Sequence, residues 1–160
     1  MVLWARLDER NVLWVEDELV RRQTVLDDLV RQAEARPWPR PEWFGADPAG
    51  HAAHEQTGRS SIGALARLGW RIRARRAGLR EGIHLVKARL RPGAGASRIR
   101  VASRCDLLLE SLERYRYPDH DPETEVPLKD GHDHACDALR YMVLNLDAPG
   151  ADGPRCTRYV

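Results

Sequence analysis

The sequence predicts an α/β domain in which a mixed β-sheet is flanked by α-helices. Three observations predict it. Two short apolar runs face each other across a polar turn near the N-terminus. Segments with apolar residues at helical spacing then alternate with short extended runs. The chain of 160 residues, 42% hydrophobic and 31% charged, suffices for one sizeable core but not for two ordinary domains.

Val2 to Leu7 and Val12 to Glu16 flank Asp8-Glu9-Arg10-Asn11, whose residues suit a tight turn, so the pair reads as a β-hairpin, expected at the edge of the sheet. From Glu18 to Ala35 the residues Leu19, Val25, Leu26, Leu29, Val30 and Ala33 recur at helical spacing, which predicts an amphipathic helix. Arg36-Pro37-Trp38-Pro39-Arg40-Pro41 ends it, because the residue before a proline avoids the α region. Trp43 to Ala46 reads as a strand stopped by Asp47-Pro48. Ser60 or Ser61 can cap a helix through Leu68, Gly69 can end it, and Trp70 to Ala74 reads as the next strand. Gly82 to Leu90 is expected as a helix, Pro92 to Ser97 as a turn, Ile99 to Ala102 as a strand and Asp106 to Tyr115 as a helix. Pro118 to Pro127 reads as an acidic loop, and a last helix is expected from about Asp130 to Leu146. Residues 147–160 carry Pro and Gly without periodicity and are expected as a disordered tail, leaving a domain over 1–146.

Composition narrows the function classes. No apolar run is long enough to cross a bilayer and no signal peptide is legible, so a soluble, cytoplasmic protein is expected, without a membrane partner. Cys105, Cys136 and Cys156 form no CxxC pair, so neither a disulfide framework nor a cysteine zinc site is indicated. The net charge is only +2, but its distribution is uneven. Between Arg59 and Arg104 thirteen Lys and Arg residues meet a single acid, Glu81, while acids gather at Asp8 to Glu18 and Asp106 to Asp137. A one-signed segment of this kind suits a polyanion, to which Arg71, Arg73, Arg75, Arg76, Lys87 and Arg89 are the candidate contacts. Arginines that only solvate the outer faces of the elements are the alternative.

The stretch Lys129-Asp130-Gly131-His132-Asp133-His134-Ala135-Cys136-Asp137 carries the densest chemistry. In a helix Asp130, Asp133, His134 and Asp137 share one face, and carboxylates so crowded repel one another unless a cation or protons intervene. Oxygen ligands with one imidazole suit Mg²⁺ or Mn²⁺ better than zinc. If relief of repulsion dominates, Asp137→Asn should leave the metal-free protein no less stable. The competing reading makes Asp130 and Asp133 helix caps and His134 an exposed polar residue. Asp47, at a strand end before Pro48, is either a site ligand or the start of a turn. His51, His54 and Glu55 lack the HExxH order of a zinc hydrolase, and no GxSxG elbow accompanies Ser60 or Ser61.

Taken in order, Trp43-Phe44-Gly45-Ala46-Asp47-Pro48-Ala49-Gly50, Gly82-Ile83 with Val86 and Leu90, Cys105 to Tyr115, and Asp133-His134-Ala135-Cys136-Asp137-Ala138-Leu139-Arg140-Tyr141 resemble the C-terminal nuclease domain of the large terminase subunit of tailed bacteriophages. The final motif, DHxxDALRY, is the specific part. The resemblance implies an RNase H-like fold, two Mg²⁺ or Mn²⁺ ions, and hydrolysis of DNA phosphodiesters during packaging by a two-metal mechanism. It makes Asp47 and Asp137 catalytic metal ligands, adds Asp133 as a further metal ligand, and gives His134 a catalytic role beside a ligand or a water. Its implied partners are double-stranded DNA, an ATPase motor domain, the portal and the small terminase subunit. The family carries a further Asp on the first strand of its sheet, whereas Met1 to Leu7 resembles the second strand and holds no acid. No GxxxxGK[ST] loop is present either, so the chain is expected to be the C-terminal part of a longer phage or prophage protein that lacks this first strand. A catalytically inactive DNA-binding remnant and an RNase H-like resolvase or transposase fragment are the alternatives.

Overall fold

The computed structural model describes residues 1–52, 60–93, 95–119, 124 and 126–147, and the backbone of 158–159. The chain forms β1 (Val2–Leu7), β2 (Leu13–Leu19), α1 (Leu26–Glu34), β3 (Phe44–Gly45), a 3₁₀ turn (Pro48–His51), α2 (Ser61–Arg67), β4 (Ile72–Arg73), α3 (Leu79–Leu90), β5 (Ile99–Val101), α4 (Asp106–Arg114), α5 (Asp133–Asp147) and β6 (Arg158–Tyr159). This is a mixed α/β architecture: a small mixed sheet flanked by helices.

The β1–β2 hairpin is set by its turn. Asp8 Oδ1 accepts from the backbone N–H groups of Arg10 and Val12 at 3.0 and 2.8 Å, its Oδ2 accepts from Trp14 Nε1 at 2.9 Å, and Asn11 takes the left-handed conformation at φ 60°. The Trp14 bond first, and then the Val12 N–H, hold the Asp8 carboxyl below its usual range. Asp8 is thus fully engaged in local structure.

Two expectations change beyond the turn. The helix expected from Glu18 begins only at Leu26, because Glu18 and Leu19 continue β2 opposite Leu3 and Val2. The Glu18 carboxylate then accepts the N–H groups of Leu107 and Leu108 at 2.9 and 3.0 Å, capping α4, whose own N-cap residue Cys105 supplies no side-chain bond. The hairpin is also not at the sheet edge. The order is β5-β2-β1-β6, with β5 parallel to β2 and β6 antiparallel to β1, so the hairpin lies in the middle. Arg158–Tyr159, within the segment expected to be a disordered tail, supply β6 opposite Arg6 and Leu7, while 148–157 and 160 lie outside the described residues.

β3 and β4 form a separate parallel pair, Phe44 opposite Ile72 and Gly45 opposite Arg73. Ser60 Oγ caps α2 by accepting from Gly63 N at 3.0 Å, and Gly69 follows the helix at φ +78°, a conformation that suits glycine. Helix α5 is the hub: Ala135, Leu139 and Val143 are fully buried with Ala5, Leu7, Leu13 and Val15 of the hairpin in one core. Where α3 crosses α5, a Cβ on Gly82 would lie 2.7 Å from Arg140 Cγ, so the close approach depends on glycine.

Candidate functional site

Two elements far apart in sequence bring carboxylates to one groove. Pairing of β3 with β4 runs to Ala46, whose N–H donates to the Arg73 carbonyl at 2.9 Å, so the chain leaves the sheet at Asp47. There Asp47 starts the 3₁₀ turn, its Oδ1 accepting from Ala49 N at 2.8 Å, and its carboxylate is exposed. The turn-starting role is real, and it leaves Asp47 open to solvent. Asp137 lies in the second turn of α5, and Arg140 donates to its Oδ1 from Nε and Nη2 at 3.0 and 2.9 Å. Tyr141 lines the groove together with both acids, and the Arg140 guanidinium lies 4.3 Å from its ring centroid. Burial first, and then the neighbouring Asp47, push the Tyr141 phenol up, against the opposing pull of Arg140.

Asp47, Asp137, His134 and Tyr141 all border a groove of about 580 Å³. A shallower recess joins Asp47 and Tyr141 to Arg75 and Arg76. A carboxylate, a phenol and two arginines therefore share one opening. Of the other candidate DNA contacts, Arg71 is exposed beside Glu42 at 4.0 Å, Arg73 stacks on Trp43 at 4.8 Å, and Lys87 lies over Tyr117 at 5.9 Å. Arg89 departs from expectation. It is 2% exposed and bound to Asp147 and Asn11, facing the interior instead of a phosphate.

The acidic stretch does not share one helical face from Asp130, because α5 begins at Asp133. Gly131, at φ +97°, turns the chain, and Asp130 Oδ1 accepts from His132 N while Asp133 Oδ1 accepts from Gly131 N. Asp130 and Asp133 thus order the entry to α5. His134 projects outward, with 82% of its side chain exposed, and its Nδ1 lies 3.8 Å from Asp133. Among the described residues no group of three or more His, Cys, Asp and Glu gathers closely enough to hold a metal ion. Asp47 and Asp137 are two groups on one groove, short of the ligand set that two ions require. His54 and Glu55 lie outside the described residues.

Arg140 and Tyr141 are the neighbours that the residue-by-residue reading left without a role. The i,i+3 spacing of Arg140 from Asp137 is a legible signal for the ion pair, whereas the contact of Tyr141 with Asp47 depends on tertiary packing. The two cysteines among the described residues, Cys105 and Cys136, are buried thiols whose ionisation is disfavoured. Burial first, and then the charge of Glu18, push Cys105 up to about 11; burial first, and then Asp137, Asp133 and Asp130, push Cys136 up to about 12.

These raised values give a pH prediction. In the unfolded chain both thiols ionise near their ordinary value of 9.0, whereas the folded protein keeps them protonated. Their contribution is therefore full below pH 9.0 and is lost as pH rises toward 11 and 12. Urea midpoints should fall between about pH 8 and about pH 10.5, and less steeply in Cys136→Ala. Equal slopes in parent and variant would refute the Cys136 contribution.

Among the described residues no helix is long and apolar enough to cross a membrane. Compared with protein-family models, curated proteins and solved structures, the chain matches none of them.

Proposed function

We propose that this chain is a DNA-binding nuclease domain of the large-terminase type, RNase H-like in fold, working on duplex DNA in the cytoplasm of the phage host. Asp47 and Asp137 are its catalytic carboxylates in this reading. The observation that carries it is the shared opening: Asp47 from the end of β3 and Tyr141 from α5 lie with Arg75 and Arg76, and Asp137 follows through Arg140. Cations beside carboxylates fit a substrate that is both a polyanion and a target of metal-assisted hydrolysis. The motif DHxxDALRY at Asp133 to Tyr141 supports the same reading.

The protein's own residues have distinct tasks. Arg75 and Arg76 hold phosphates, and the N–H of Arg75 is fixed by Asn145 Oδ1 at 3.2 Å, which orients that segment. The Ala49 N–H orients Asp47, and Arg140 orients Asp137. Mg²⁺ or Mn²⁺, two ions in a complete centre, would supply activation of the attacking water and relief of charge on the leaving oxygen. The described residues do not complete that centre, which favours a second reading, a DNA-binding remnant without catalysis.

Duplex binding and plasmid nicking test the proposal in two steps. Arg75→Ala with Arg76→Ala is expected to weaken binding to all sequences alike and to lower the log-log salt slope by up to about 0.9 per lost contact. An unchanged slope would remove these arginines from the interface. Mn²⁺-dependent nicking of supercoiled plasmid that disappears in Asp47→Asn supports the nuclease. Binding without nicking supports the remnant.

A further inference from the structure

The same groove separates two open strand edges. β1 pairs with β2 along its whole length, but on its other edge β6 reaches only Arg6 and Leu7, so Val2 to Ala5 have no strand partner there among the described residues. In β3 the N–H groups of Phe44 and Ala46 donate to Arg71 and Arg73 of the β4 side, so by strand alternation Gly45 presents its N–H and carbonyl to the opposite side. No strand pairs with that side among the described residues. Val2 to Trp4 and Phe44 to Ala46 both border the groove of about 580 Å³. Its remaining walls are chiefly apolar, with Leu29 and Val30 from α1, Ile62 and Leu65 from α2 and Met142 from α5.

We propose that this groove takes an extended apolar peptide segment as an added β-strand, paired to the edges of both β1 and β3, which joins the two sheets into one. Unpaired edges are templates for another strand, and a strand is the element that can satisfy backbone groups on two sides at once. A helix would satisfy neither edge. A second copy pairing β1 against β1 by a two-fold axis would leave the β3 edge open. Helices α1, α2 and α5 all wall the groove, so the occupant needs apolar side chains on both faces, as in strands covered by helices on two sides. β1 has six residues, which sets the length of the segment. The inference does not rest on the nuclease reading, because neither carboxylate is needed for strand pairing.

The probe is a terminally blocked peptide of alternating valine and isoleucine, six residues between two lysines, matching the length of β1. The expected result is saturable binding to the full chain that raises the melting temperature and slows amide exchange on the groove edge of β1 and at Gly45 by about tenfold or more. A peptide with proline at every second position keeps apolar area but lacks donors, and is expected not to bind. Leu29→Lys is expected to abolish binding of the first peptide. Failure to bind, binding without protection at both edges, or equal binding of the proline peptide would overturn the proposal. Protection that rises with protein concentration in the absence of peptide would overturn it in favour of a second copy.

Discussion

Replacing Arg89 by methionine is expected to destabilise the protein by about 3 kcal/mol or more, at the lower end of the range for breaking a buried ion pair. Arg89 is 2% exposed on α3 and its guanidinium joins three separate parts of the chain. It pairs with the Asp147 carboxylate at the end of α5 through Nε and through Nη2, the latter at 2.6 Å, and it donates to Asn11 O at 3.0 Å and Asn11 Oδ1 at 2.9 Å in the hairpin turn. Methionine retains apolar volume, so the loss reports the polar network and not a cavity. Asp147, with 24% of its side chain exposed, can recover some hydration, which places the effect at the lower end. Urea denaturation reads the change, and Arg98→Ala, an exposed arginine nearby, should change stability by less than about 0.5 kcal/mol. Duplex affinity per folded molecule should be unaffected by Arg89→Met. A stability loss below about 1 kcal/mol would show that the network is replaceable.

Signals that act within a few residues were legible in the sequence. The hairpin turn, the Ser60 cap, the Gly69 stop and the proline boundaries each specify their own neighbourhood, and β3, α2, β5 and α4 formed close to where those signals put them. Placement of the hairpin in the sheet was not legible, because β5 and β6 reach it from residues remote in sequence. The run after Glu18 shows the same limit: helical spacing over Leu19 to Ala33 is compatible with a strand at its start, and pairing with Val2 and Leu3 together with the cap on α4 decides for the strand. Charge sign misled at Arg89. A run of one sign marks a basic segment but not which member turns inward, although positions 82, 86 and 89 fall on one helical face whose first residue is a buried glycine. In the site, Asp47 and Asp137 were legible as residues, while the placement of Tyr141 on the same groove required the packing of α5 on β3.

Asp137→Asn is expected to lower the stability of the metal-free protein by about 1–3 kcal/mol, the reverse of what relief of carboxylate repulsion alone predicts. Arg140 decides the sign. Its side chain is 8% exposed and its Nε and Nη2 both donate to Asp137 Oδ1, so neutralising the acid leaves a buried guanidinium with a weaker, uncharged acceptor. Asp137, with 35% of its side chain exposed, gains less than a buried partner would, which keeps the loss below that at Arg89. A double variant, Asp137→Asn with Arg140→Met, should recover most of the loss, since removing both partners avoids the orphaned charge. Metal response then separates a ligand from a structural acid. If Asp137 holds Mn²⁺, saturating ion at about a hundredfold over Kd stabilises the parent by about 2.7 kcal/mol, while neither the single nor the double variant responds. If Asp137 serves only Arg140, the double variant regains both its stability and any Mn²⁺ response of the parent. Thermal melts of the three proteins with and without Mn²⁺ therefore decide the role of Asp137 without an activity assay, and a double variant that responds to Mn²⁺ as the parent does would remove Asp137 from the metal centre.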